Sequence, residues 1–260
     1  MKNMSGNKII KFVFFDILRS KWLLTYTIVL FVISSGLMYF SKDAAKSIAS
    51  ILNVTLIIVP LISVLFGAVH YYNSKEFMLM LLSQPVKRSK VFWAEYIALA
   101  VSLSAGFLAG AILPLLLFGL SKVLVILALS GVILSFVFSA ISIFFSVLID
   151  EKVKGIGVLF FIWLLFSVLY DGLLLGIYFA FNDFPLEKVT IFLTLLNPVD
   201  IARIMVLLNL DLSAMLGYNG AVFVKFFGKF TGIGISLLFS LGWAVIPALI
   251  ALKKFNRKNF

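Results

Sequence analysis

Six stretches of this chain are apolar for about 20 residues, the length a helix needs to cross the hydrocarbon core of a bilayer. They run Trp22–Phe40, Ile51–Tyr72, Trp93–Leu120, Val123–Ile149, Ile156–Phe181 and Thr231–Leu252. Within lipid no water is at hand for backbone N–H and C=O groups, so each segment must satisfy its own, and a helix does so. The alternating pattern of about ten residues per strand that marks a membrane barrel is absent. Composition points the same way. The chain is 63% hydrophobic and 13% charged, against about half and a quarter in soluble domains. These features predict an all-α membrane protein, one domain over residues 1–260, with six spans and no room for a soluble catalytic domain.

The sequence holds no cysteine, which excludes disulfides, thiolate metal sites and cysteine nucleophiles. The net charge of +11 would suggest nucleic acid in a soluble protein. Here the cations flank apolar spans, so they are read as setting orientation. With the N-terminus inside, 15 of the 22 Lys and Arg fall on inner segments, which predicts both termini in the cytosol. Met1–Gly6 is expected not to begin a cleaved leader, because the first apolar stretch is long enough to span and no small-residue cleavage site follows it.

Four segments outside the spans carry information. Residues 8–21 interrupt large apolar residues with Lys11, Asp16 and Arg19, a pattern that fits a helix lying in the inner interface. Residues 73–90 place Phe77, Met78, Met80, Leu81 and Leu82 beside Lys75 and Glu76, then Gln84-Pro85, then Lys87, Arg88 and Lys90. This predicts a short cytosolic helix, a turn at Pro85 and a basic restart. The third segment, Asp150–Gly155, contains Asp150, Glu151 and Lys152 and is a small loop on the same face. The fourth, residues 182–230, has two apolar runs too short to span, separated by Asn197-Pro198, with Asp200 expected as an N-cap. These are read as short helices dipping into the outer interface.

No catalytic set stands out. His70 is the only histidine, and an interfacial polar role is its default. Thioethers bind Cu(I), but Met also fills apolar cores. Met78 and Met80 lie two apart, which on a helix turns them away from each other, and no metal ligands are assigned. Asp171 lies about 24 Å along the fifth span at 1.5 Å per residue, near the outer boundary, where a structural partner is expected. Glu95 is expected at the inner interface. Ser102, Gly106 and Gly110 repeat at four-residue spacing ahead of Pro114. Such a small-residue face lets another helix approach closely, either in a second copy or in the same bundle.

Two cytosolic loops on one face suit docking to a soluble motor. The whole layout resembles the permease subunits of ABC-2-type transporters. That family has an interfacial elbow helix, six spans, a coupling helix between spans two and three, a short second loop between spans four and five, and re-entrant helices between spans five and six. The stretch Lys75–Leu99 is similar to its coupling region. In Leu195–Phe223, Asn197, Pro198 and Asp200, with Gly217, Tyr218, Gly220 and Ala221, resemble the external loop of the NosY-type permeases of nitrous oxide reductase maturation.

The resemblance implies a homodimer in a bacterial inner membrane with a NosF-like cytosolic ATPase, a NosD-like β-helical periplasmic protein and a NosL-like copper lipoprotein. It also implies a part in assembling the copper centres of nitrous oxide reductase. Coupling to the ATPase would fall to Lys75, Glu76, Phe77, Met78, Leu81, Leu82, Pro85, Asp150, Glu151 and Lys152. Contact with the periplasmic partner would fall to Asn197, Pro198, Asp200, Arg203, Met205 and Tyr218. The chain has no glycine-rich phosphate loop, so ATP and Mg belong to the partner and no cofactor is expected on this chain. The rival within the family is a general exporter of a drug, lipid or peptide. An ion-coupled carrier would need paired titratable groups within the spans, an embedded enzyme would need a polar catalytic set there, and neither pattern is seen. A structural scaffold would tolerate loss of residues 73–90.

Overall fold

The structure, a computed structural model, describes residues 6–41, 43–181, 187–209 and 217–258, with side chains omitted for 6–10, 118, 187–188 and 217–230. Among the described residues every regular element is helical. In order these are α1 (Gly6–Leu18), α2 (Lys21–Ser41), α3 (Ala44–Asn73), α4 (Lys75–Leu82), α5 (Arg88–Leu115), α6 (Lys122–Leu148), α7 (Lys152–Ala180), α8 (Glu187–Leu196), α9 (Pro198–Leu207) and α10 (Gly217–Arg257). Six of them are long and apolar enough to cross a membrane: α2, α3, α5, α6, α7 and the Thr231–Arg257 part of α10.

The boundaries differ from the sequence reading where helices outrun their apolar stretch. α5 begins at Arg88, five residues before Trp93, because a helix needs apolar residues only where lipid touches it. α10 runs back to Gly217, well before Thr231. α7 takes in Lys152–Gly155, so the second loop shrinks to Ile149–Glu151. At α3 the cap is explicit: the Asp43 carboxylate accepts from Ala45 N at 2.9 Å and Lys46 N at 3.3 Å, satisfying donors that a helix start leaves open.

α6 is the centre of the bundle, with α3, α5, α9 and α10 packed around it. It carries five fully buried serines, Ser130, Ser135, Ser139, Ser142 and Ser146. Hydroxyls and glycines serve where lipid removes any hydrophobic drive between helices. Ser142 donates to Val64 O of α3 at 2.8 Å, and a methyl on Gly67 would come within 2.7 Å of its Oγ. A Cβ on Gly131 would overlap the Phe107 ring.

The small-residue face of α5 packs inside the same bundle, against α2. A Cβ on Gly106 would lie 2.9 Å from Thr27 Oγ1, and one on Gly110 2.7 Å from Thr27 O. Two helices carry π-helical turns, Leu108–Ile112 in α5 and Leu165–Leu169 in α7. The first ends two residues before Pro114, which has no N–H for the ladder. In each turn a backbone carbonyl accepts from a side chain of another element. Ser34 Oγ donates to Ala111 O at 2.7 Å, and Asn197 Nδ2 donates to Phe166 O at 3.0 Å. Side chains that restore hydrogen bonds lost to the ladder are what make such breaks tolerable in lipid.

Replacing Gly131 by Val should lower the chain's stability in detergent by about 1–3 kcal/mol, the usual cost of overpacking. Gly157→Ala, with open space at its Cβ, should leave the melting temperature unchanged. Equal melting of the two variants would refute the close α5–α6 contact.

Candidate functional site

One end of the bundle gathers both short loops. α3 ends at Asn73 and α4 begins at Lys75, with Ser74 alone between them. Ser74 N donates to His70 O, and Met78 N donates to Ser74 O, both at 2.8 Å, so α4 hangs from α3 by an almost unbroken ladder. Its apolar residues divide by helical period. Met78 and Leu81 are buried, Phe77 and Leu82 half-buried, and Glu76, Leu79 and Met80 exposed. Met78 and Met80 do point apart. Phe77 stacks on Phe12 of α1, ring centroids 5.3 Å apart. Ser83 closes the helix, donating from its N to Leu79 O at 3.0 Å, and exposed Pro85 lies in the turn before α5.

Polar contacts tie α4 to the loop after α6. Lys75 Nζ reaches Asp150 Oδ1 at 3.5 Å. Lys152 Nζ donates to Asn73 Oδ1 at 2.8 Å, and Tyr72 OH to Ile149 O at 2.8 Å. Gly155 is where a side chain would collide with that Tyr72 hydroxyl. Glu151 pairs locally with Lys154 at 2.6 Å. The chain's end joins in a way the sequence did not signal. Lys258 Nζ lies 2.7 Å from Asp150 Oδ1 and donates to Val147 O at 2.6 Å. Arg88 Nη1 donates to Lys258 O at 2.8 Å and Asn256 O at 3.2 Å.

The Lys258 hydrogen bond, with the charges of Lys258 and Lys75, outweighs the small desolvation of Asp150 and holds its carboxyl below the usual carboxylate range. A depressed carboxyl stabilises the fold above its unfolded value and loses that contribution as pH falls through its folded one. The bridge is therefore intact at neutral pH and weakens as pH falls through that lowered value.

Behind this surface, His70 Nε2 meets Glu95 Oε2 at 2.9 Å. Glu95 stands two turns into α5 with its side chain turned into the bundle. It is only 4% exposed, because α5 begins earlier and carries it into the bundle beside α3.

The opposite end is organised by α8 and α9, two helices bent by 108° across Asn197. Asn197 is extended, as a residue before proline must be, and its Oδ1 accepts from Val199 N at 2.9 Å. Asn197 is therefore the cap and Asp200 sits one turn in, because Pro198 takes the first helical position. The residues expected to face a partner are turned inward. Asn197, Pro198, Asp200 and Met205 are buried, since α9 lays most of its surface against α3, α6 and α10. The side chain of Tyr218 lies outside the described residues.

Arg203 is the half-buried exception. Its Nη1 donates to Asp171 of α7 at 2.9 and 3.1 Å, the structural partner expected for Asp171. The same nitrogen is 3.0 Å from Asp200 Oδ1, an ion pair whose geometry makes no hydrogen bond. One guanidinium thus serves two carboxylates on two helices. Among the described residues no cluster of His, Cys, Asp and Glu has the makings of a metal site.

The model of the ABC-2 family transporter protein matches residues 8–260. The chain belongs to the ABC-2 transporter family. It is a multi-pass membrane protein, the permease subunit of an ABC transporter, and such a permease works with a partner ATPase. It is similar to the probable ABC transporter permease protein NosY of Stutzerimonas stutzeri, 26% identical over 267 aligned residues, covering 94% of this chain and 95% of that one. It is likewise similar to the probable permease NosY of Pseudomonas aeruginosa, 26% identical over 223 residues, covering 78% of this chain and 81% of the relative.

Arg203→Gln should destabilise the chain by about 1.5–3 kcal/mol, the worth of hydrogen bonds to a charged group. Adding Asp200→Asn should recover part of the loss by replacing a buried carboxyl that has no hydrogen bond of its own. Thermal unfolding in detergent reads both, and a neutral single variant would contradict the shared ion pair.

Proposed function

We propose that this chain is the NosY-type permease of a bacterial inner-membrane ABC transporter. Two copies would pair with a NosF-like ATPase in the cytosol and a NosD-like β-helical protein in the periplasm, with a NosL-like copper lipoprotein nearby. ATP binding and hydrolysis, with Mg, take place in the ATPase. The output is transport or maturation serving the copper centres of nitrous oxide reductase. The similarity to two NosY permeases over most of the chain supports the specific role.

The observation that carries the coupling reading is the joining of two loops into one surface, by Lys75 to Asp150 and Tyr72 to Ile149. Glu76, Leu79 and Met80 stand outward from α4 as the part a motor would grip. A push there passes up α3 through the single Ser74 junction and sideways to α1 through the Phe12–Phe77 stack. It also passes to α6 and α7 through Asp150, and to the end of α10 through Lys258 and Arg88. In this reading both termini are cytosolic and α1 is an interfacial elbow. The α8–α9 pair re-enters the outer leaflet, and Asn197 contacts α7 about 21 Å beyond the start of that helix at 1.5 Å per residue. The buried Asn197, Pro198, Asp200 and Met205 then set the shape of the external surface, and among the described side chains of that group Arg203 is the one left to meet a partner.

The tagged chain should capture a soluble ATPase. Lys75→Glu with Glu76→Lys should cut capture about tenfold or more, as loss of buried interface charge does. A chain that purifies alone from both detergent and nanodiscs, with no ATPase bound, would refute the reading.

A further inference from the structure

We infer that the cavity where α6 and α10 end together is a binding site for the phosphate of an anionic phospholipid. The cavity measures about 610 Å³. Four cations line it, Lys253, Lys254, Arg257 and Lys258, against one acid, Asp150. The rest of its wall is aliphatic, Val147 and Leu148 from α6 and Ile250 from α10.

Ile250, Lys253, Lys254 and Arg257 stand at i, i+3, i+4 and i+7 and so share one helix face. That face passes from aliphatic to cationic within its last two turns. Leu148 and Ile250 are exposed on spanning helices, so acyl chains cover them in a membrane. Lys258 already engages Asp150 and Val147 O. Lys253, Lys254 and Arg257 are exposed and have no ion-pair partner among the described residues. Three cations with no ion-pair partner among the described residues, beside a lipid-facing wall, call for a ligand with an anionic head and an apolar body. A phosphodiester with acyl chains has both, and basic pockets between spans are where anionic headgroups bind. Free phosphate would match the cations and leave the aliphatic half of the cavity without a partner.

The site also touches the bridge between the loops. A phosphate here competes with Asp150 for Lys258, and Asp150 is the residue that holds Lys75 of α4. The inference needs only a membrane boundary at the ends of α6 and α10 and stands apart from the identity of the ATPase.

Native mass spectrometry of the purified chain, titrated with phosphatidylglycerol, phosphatidylcholine or inorganic phosphate, tests it. Phosphatidylglycerol should be retained in preference to phosphatidylcholine. The K253Q/K254Q/R257Q chain should lose that preference by about a hundredfold, the combined attraction of three basic residues near anionic lipid. R257Q alone, a change at an exposed position, should lose about fivefold and reads the effect if the triple variant does not fold. Equal retention of the two lipids, or an unchanged preference in R257Q, overturns the proposal. Displacement by inorganic phosphate at lipid-like concentrations overturns the lipid as source and leaves a free-phosphate site. Protection of these lysines from acetylation by a co-purified protein, with no effect of phosphatidylglycerol, assigns the patch to a protein and also overturns it.

Discussion

Every feature of this fold answers to one constraint: in lipid, a backbone polar group must find its partner within the protein. Long helices are the first consequence. The second appears where a helix is broken. Both π-helical turns lie within spans, and each has a carbonyl that takes a hydrogen bond from another element, Ala111 from Ser34 and Phe166 from Asn197. The sharp bend between α8 and α9 follows the same rule. Asn197 caps the new helix with its oxygen and bonds α7 with its nitrogen, and Trp243 Nε1 donates to Leu195 O at 3.4 Å at the end of α8.

A second consequence concerns what holds helices together. Lipid is as apolar as leucine, so close contact replaces hydrophobic burial as the cement. The glycines of α5 and α6 and the serines along α6 are therefore placed where backbones approach, and α6, the most apolar span, is also among the most buried. Among the described residues the exposed and half-buried ion pairs gather at the two ends. At one end they form a surface network linking both loops to the end of α10. At the other a single guanidinium joins two helices through two carboxylates. A transporter subunit that relays motion requires rigid rods with a few joints, and these are the places where the joints lie.

The spans, the break at Pro85, the short helix of residues 75–82 and the opposed directions of Met78 and Met80 were legible in the sequence. They depend on local hydropathy, helical period and proline chemistry, which neighbours do not override. The Asn197-Pro198 break was legible too, though Asp200 matches a cap by residue type and it is Pro198 in the first helical position that makes Asn197 the cap. The family resemblance rested on the same local motifs and agrees with the family match over residues 8–260.

Partners across the bundle were not legible. Nothing local to Glu95 announces His70, 25 residues away, and nothing local to Asp150 announces Lys258, more than 100 residues on. Whether Gly106 and Gly110 faced a second copy or α2 was open in the sequence, because a small-residue face specifies closeness and not identity. The inward turn of Asn197, Asp200 and Met205 was hidden for the same reason: in a chain apolar on nearly every face, hydropathy separates protein from water but does not separate protein from lipid. The sequence by itself determined which segments are helices, where they stop and that they sit in a membrane. Only the tertiary structure decided which helix faces meet, because that choice is made by shape and paired polar groups distant along the chain.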